Sequence, residues 1–198
     1  MRPDFPAGRW AAVAWLAVWI PAYWITWGWQ NLLLLCDVSL LLTCIGVWRG
    51  SSLLISSQAV GGLLPNLFWT LEFTFQLITR RLFFGGPEYM WMEQYPLWVR
   101  LLSLFHVALP FVHFALLRRV GYDARGWRLQ VCIAAALLVA CRVLGPEKNL
   151  NYIYADPVFG RAWGPAPVHL LVILAGLTVI CFWPAHLLCR RLFRATGR

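Results

Sequence analysis

A cysteine thiol becomes a nucleophile when a nearby base takes its proton, and Cys36 with His106 supplies the parts for that step. An imidazole within hydrogen-bond reach of the thiol leaves a thiolate able to attack an ester carbonyl. Asp37 or Glu72 could orient the ring, and Ser103 or Asn151 could donate to the oxyanion that forms. On the stretch that carries His106, Arg100 and Ser103 precede it at steps of three and His113 follows seven later, so the four share one helical face. Glu72, Gln76 and Arg80 recur every four residues and form a second polar stripe. The bland alternative is that Glu72 pairs with Arg80 or Arg100, and His106 with a backbone carbonyl, to hold helices together.

The elements that must position these groups are apolar. Of 198 residues 61% are hydrophobic and 13% charged, with a mean hydropathy of +0.65, a composition that places the fold in lipid. A crossing needs about 20 mostly apolar residues, so the length holds five to seven crossings in one domain, residues 1–198. Six are read, at about 10–27, 31–48, 52–83, 97–117, 127–144 and 168–188. The first follows Arg2 and Arg9, but it is too long and too rich in Trp for a cleaved signal segment. The third exceeds one straight crossing and contains Gly61, Gly62 and Pro65, which predicts a helix broken near Pro65. Gly85 to Pro96 reads as an interfacial loop, and Gly145 to Pro167 as a structured lid. The expected fold is therefore all-α, a polytopic six-helix transmembrane bundle.

The arginines cluster at the ends of apolar runs and form no basic and aromatic patch, so they read as topology signals and not as a nucleic-acid surface. Both termini and the second and fourth connections carry 11 of the 17 Lys and Arg, which places both termini in the cytoplasm. That topology brings Cys36, Asp37, Glu72, Arg100, Ser103, His106 and His169 into one outward-facing half. Charged or titratable groups inside a bilayer are costly unless they face a wet cavity, so their shared depth points to a pocket. The six cysteines show no CxxC spacing and most act as small apolar residues. His106, His113, His169 and His186 form no compact ligand set, so no metal or other cofactor is expected.

Three segments resemble the YwaF-type bacterial integral membrane proteins: LLLLCDVSLLL at 32–42, SLFHV at 103–107 and NLNYIYADPVFGRAWGPAPVHL at 149–170. That family includes a mammalian transmembrane acyltransferase acting on ether phospholipids, and it is a remote cousin of androgen-induced membrane hydrolases that use Thr and His. The likeness is one of order and spacing over most of the chain. It implies Cys36 as nucleophile, His106 as base, and Asn151 and Tyr152 as pocket residues. Asp37, Glu72 and the stretch from Gly85 to Trp98 have no counterpart in it. The resulting expectation is a membrane-embedded lipid acyltransferase or hydrolase of a bacterial cytoplasmic membrane, with membrane lipids and other membrane subunits as partners. The competing expectation is a noncatalytic subunit or small transporter with structural ion pairs at Asp37, Glu72 and Arg100.

Overall fold

The computed structural model describes residues 5–83, 85–144 and 148–193, and every regular element within them is helical. Arg2, Arg194 and Arg198 of the topology signals, and the first residues of the expected lid (145–147), lie outside the described residues. Helix α1 spans Pro6–Trp27, with a proline in its first turn, where a missing N–H costs nothing. Helix α2 (Leu35–Arg49) follows a 3-10 turn at Trp29–Leu33 and ends on Gly50, whose left-handed φ of 59° returns its N–H to the Gly46 and Val47 carbonyls. The second apolar segment thus becomes α-helical four residues later than expected.

Helix α3 runs unbroken over Ser52–Thr79, contrary to the expected break near Pro65. Pro65 removes one helical N–H, the one facing the Gly61 carbonyl. The next carbonyl, that of Gly62, accepts from the Asn66 side-chain amide at 2.6 Å, and packing on all sides holds the helix through the one lost bond. Ser51 caps the start by accepting the Leu54 N–H, and the chain leaves at Arg80 in a left-handed conformation, so the helix stops short of residue 83. The break instead falls in the next apolar segment, between α4 (Leu97–Leu102) and α5 (Phe105–Val120). There Ser103 and Leu104 take ψ of −10° and −3°, and the His106 N–H reaches back three residues to the Ser103 carbonyl. Helix α6 covers Gly126–Leu144. The last segment is continuous from α7 (Ala166–Gly176) through a π-helical turn at Leu177–Phe182 into α8 (Trp183–Leu192). Pro184 sits just past the wide turn, which absorbs the bond that its ring cannot make.

Four helical stretches are long and apolar enough to cross a membrane: Pro6–Trp27, Leu97–Val120, Gly126–Leu144 and Ala166–Leu192. Helix α2 has 15 residues, and α3, although 28 long, is diluted by Ser56, Ser57, Gln58 and Asn66. Helix α3 is the hub, packed by α2, α5, α6 and the α7–α8 segment. Its first half is buried on all sides from Ile55 to Gly62, and small residues let the neighbours approach. A Cβ on Gly61 would overlap the Gln130 amide, and one on Gly126 would lie 2.8 Å from Ser56 Cβ. The outside is apolar: Ile25, Ile78, Phe111 and Ile180 each expose at least 70% of their surface. That inversion of the usual polar exterior suits a hydrocarbon surround.

Candidate functional site

Polar groups from seven segments converge near the start of α2. Asp37 is buried and takes a hydrogen bond from the Asn31 side-chain amide at 3.1 Å and one from the Cys36 thiol at 3.8 Å. Helix α1 contributes the Tyr23 hydroxyl, which bonds Ser103 Oγ at 2.6 Å, and both Asp37 and Tyr89 lie within electrostatic reach of that hydroxyl. Tyr89, on a 3-10 turn at Glu88–Trp91, has Ser103, Cys36, Asp37 and Trp69 as its own neighbours. Burial pushes the Tyr89 phenol up, against the pull of its hydrogen bond with Ser103.

His106 borders this group, though not as a direct partner of the thiol. Among the described residues Cys36 and His106 make no hydrogen bond, so the expected dyad is not formed; the acceptor beside the thiol is Asp37. The cause is the tight turn at Ser103: His106 Nδ1 donates to the Ser103 carbonyl at 2.8 Å, and its ring stacks on Trp69 with centroids 4.4 Å apart. With Nδ1 carrying the proton, Nε2 is the basic nitrogen. The ring is therefore oriented by the backbone, without Asp37 or Glu72.

The other expected residues divide into bracing and separate placement. Asn151, in a left-handed conformation with φ of 53°, accepts the Leu35 N–H at 2.8 Å and donates to the Leu33 carbonyl at 2.8 Å and to Cys141 Sγ at 3.2 Å. Its amide thus latches the late loop onto the start of α2, which uses the groups expected to face an oxyanion. Tyr152 has Cys36 and Glu88 among its electrostatic neighbours. His169 bonds the Tyr152 carbonyl through Nε2 at 2.9 Å and accepts the Trp163 N–H at Nδ1, holding the lid. Glu72 accepts the backbone N–H groups of Phe83 and Gly85 at 2.6 and 3.2 Å, folding the chain back along α3. Arg100 donates to the Met90 carbonyl at 2.6 Å, which secures the turn bearing Tyr89. Neither Asp37 nor Arg100 is in an ion pair with a described residue; the Arg125–Asp123 pair, at 2.8 Å, lies in the α5–α6 connection. There the Arg125 guanidinium holds the Asp123 carboxyl below the usual range.

Deeper in the bundle a second polar group surrounds His113. Thr43 Oγ1 lies 2.8 Å from His113 Nε2 and 2.7 Å from the Ser39 carbonyl, and all three residues are buried. A hydroxyl has one proton. The Ser39 carbonyl can only accept, so the proton goes to it and Thr43 accepts from Nε2–H.

Tyr23, Asn31, Trp69, Tyr89 and Thr43 are members of these groups that the sequence reading did not select. Thr43 had a usable signal, since Ser39 and Thr43 lie one turn apart on a polar side of α2. Tyr89 had none, because its place depends on how a loop packs. No protein-family model, curated protein or solved structure matches the chain.

Proposed function

We propose that this chain is an integral membrane protein with six crossings and cytoplasmic termini, in a bacterial cytoplasmic membrane, and that it is a hydrolase or acyltransferase of lipid esters. The observation that carries the enzymatic part is the half-buried Cys36 thiol on the Asp37 carboxyl, with Tyr23, Ser103 and Tyr89 beside it and His106 oriented on the Ser103 carbonyl. The likeness of order and spacing to the YwaF-type proteins points the same way. Helices α2 and α3 are counted as crossings because the turn before α2 extends it and α3 has ample length.

In this reading the thiol proton passes to a basic partner, Asp37 or His106 Nε2, and the thiolate attacks the ester carbonyl carbon. The carbon–sulfur bond forms, the carbon–oxygen bond breaks, and the leaving alkoxide takes up the proton. Water or a second lipid alcohol then attacks the thioester and releases Cys36. The Tyr23 and Tyr89 hydroxyls are donors for the oxyanion. Membrane lipids are the substrates, and other membrane subunits are partners in the same proposal.

A second nucleophile is favoured by one contact, that of Thr43 with His113, and by the Thr and His of the cousin hydrolases. Its hydrogen-bond pattern argues against it, because a base must hold a free lone pair toward the hydroxyl. The test is lipid-ester turnover by the purified protein in defined phospholipid micelles. Loss in Cys36→Ala and His106→Ala with retention in Thr43→Val supports the first site; the reverse pattern supports the second. Turnover unchanged in all three would reject an enzymatic role for either.

A further inference from the structure

Charge is divided unevenly between the two ends of the bundle. Of the described side-chain carboxylates, Asp37, Glu72, Glu88, Glu93 and Asp156 stand at the chamber end. Asp123 alone stands at the other, where Arg125 takes it up at 2.8 Å. That opposite end is made by the last turns of α5 and α8 and the first turn of α6, and it exposes Arg118, Arg119, Arg128, Arg190 and Arg191. None of these guanidiniums is in an ion pair with a described residue.

A topology signal requires only that the charges keep to one side of the membrane, and it does not require that they meet. Here the packing brings them together. Phe114 on α5 meets Phe193 at the end of α8 with ring centroids 5.1 Å apart, and Arg118 lies over the Phe114 ring at 5.8 Å. Arg118, one turn past Phe114, is thereby set beside the last turn of α8, which bears Arg190 and Arg191. The Tyr122 hydroxyl closes the same seam on His186 Nδ1 at 2.7 Å and has Arg190 within electrostatic reach. Trp183, also on α8, meets Trp127 of α6 at 5.2 Å, and Arg128 lies over Trp127 at 5.7 Å. Each helix C-terminus carries about half a negative charge, so the ends of α5 and α8 answer about one positive charge between them, and the start of α6 returns half of it. Most of the charge of the patch is left for a ligand.

The neighbouring side chains say which ligand. Phe111, Phe114 and Arg118 recur at steps of three and four on α5, as Trp183, Leu187 and Arg191 do at steps of four on α8, and all six are exposed. Each helix therefore presents an apolar strip that ends in a cation. A free anion would use the cations alone, whereas a lipid uses both parts, its phosphate on the guanidinium N–H groups and its chains on the strip.

We propose that the seam between α5 and α8 is a binding site for an anionic phospholipid of the leaflet at this end, with the headgroup phosphate held between Arg118 and Arg190 and the acyl chains laid along Phe114 and Leu187. The lipid is a fixed ligand and not the substrate, because the site lies at the end of the bundle opposite Cys36. The site rests on the membrane placement proposed above but not on lipid turnover.

Flotation with liposomes after an alkaline wash reads the placement; protein that does not float would reject that placement and this site with it. Native mass spectrometry of purified protein, washed free of lipid in nonionic detergent and titrated with dioleoyl phosphatidylglycerol or dioleoyl phosphatidylcholine, reads the site. Wild-type protein is expected to bind the anionic lipid about tenfold or more tightly than the zwitterionic one, and excess inorganic phosphate is expected not to displace it. Arg118→Gln and Arg190→Gln should each weaken phosphatidylglycerol about fivefold. Both positions are exposed, and unchanged phosphatidylcholine binding would report that the variants keep the fold. Arg49→Gln removes the same charge at the same end but on α2, which forms no part of the seam, and should change the affinity by less than about twofold. Equal affinity for the two lipids, displacement by phosphate, or a loss in Arg49→Gln as large as that in Arg118→Gln would overturn the proposal.

Discussion

The chamber at Cys36 and the core at His113 are built from the same kinds of residue by different means. In the chamber, Tyr23 on Ser103 and Asn151 on the start of α2 join segments far apart in sequence, and Asn31 on Asp37 ties α2 to the turn before it, so that two of the three bonds come from outside the long helices. In the core the partners all sit on helices, and three of their polar atoms go unpaired. A region assembled by loops can open and admit a large molecule. One enclosed by packed helices offers a lipid no way in. Under the proposed function, lipid chemistry therefore belongs to the chamber and not to the core.

The largest expected effect follows from that assignment. His106→Ala should lower kcat for lipid-ester turnover by about 10²–10⁴-fold, the usual contribution of a general base, while Thr43→Val leaves kcat within a factor of about two. Steady-state kinetics on matched preparations would read both, and a collapse in Thr43→Val alone would exchange the roles of the two regions. Next comes the latch. Asn151→Leu strands the Leu35 N–H and the Leu33 carbonyl and should cost about 1–3 kcal/mol in detergent unfolding, with faster alkylation of Cys36 as the chamber loosens. Slower alkylation would mean that the loop does not cover the thiol. Tyr23→Phe removes one bond, for about 1 kcal/mol, whereas Thr43→Val removes two and strands His113 Nε2–H, for about 1–3 kcal/mol, while leaving turnover in place.

The smallest effect concerns pH at the lid. Asp156 would be raised by burial, but the N–H groups of Phe159, Val158 and Arg161 outweigh this and hold its carboxyl below the usual value. A carboxyl depressed in the folded state contributes fully at neutral pH, and the contribution fades as pH falls below about 3.9 toward the folded value. Hydrogen exchange at Val158 to Arg161 should therefore rise in acid and should already be raised at neutral pH in Asp156→Asn. Exchange in Asp156→Asn equal to wild type would show that another contact orders the lid.

All six apolar segments of the sequence are helical in the structure, because burial and length alone specify them. Their ends and breaks were less legible. Pro21, Pro65 and Pro110 all lie inside helices, since packing from neighbours outweighs the one bond that the local rule treats as a break. Which polar residues turn inward was readable: Asp37, Glu72, Ser103, His106, His113, Asn151 and His169 are all buried. Their partners were not, because a pair such as Thr43 with His113 joins residues 70 apart and is fixed by how two helices pack against a third. Cys36 and His106 make no direct hydrogen bond, and the Ser103 carbonyl that holds Nδ1, which leaves Nε2 as the basic nitrogen, is a partner that only the turn there reveals.

The central claim is that Cys36 carries the acyl group. Incubating the purified protein with a lipid ester, quenching in acid and measuring intact mass tests it most directly. The account predicts one added acyl mass that maps to Cys36, is removed by hydroxylamine and is absent from Cys36→Ala. An acyl mass on Thr43, or turnover of the ester by Cys36→Ala at the wild-type rate, would contradict it.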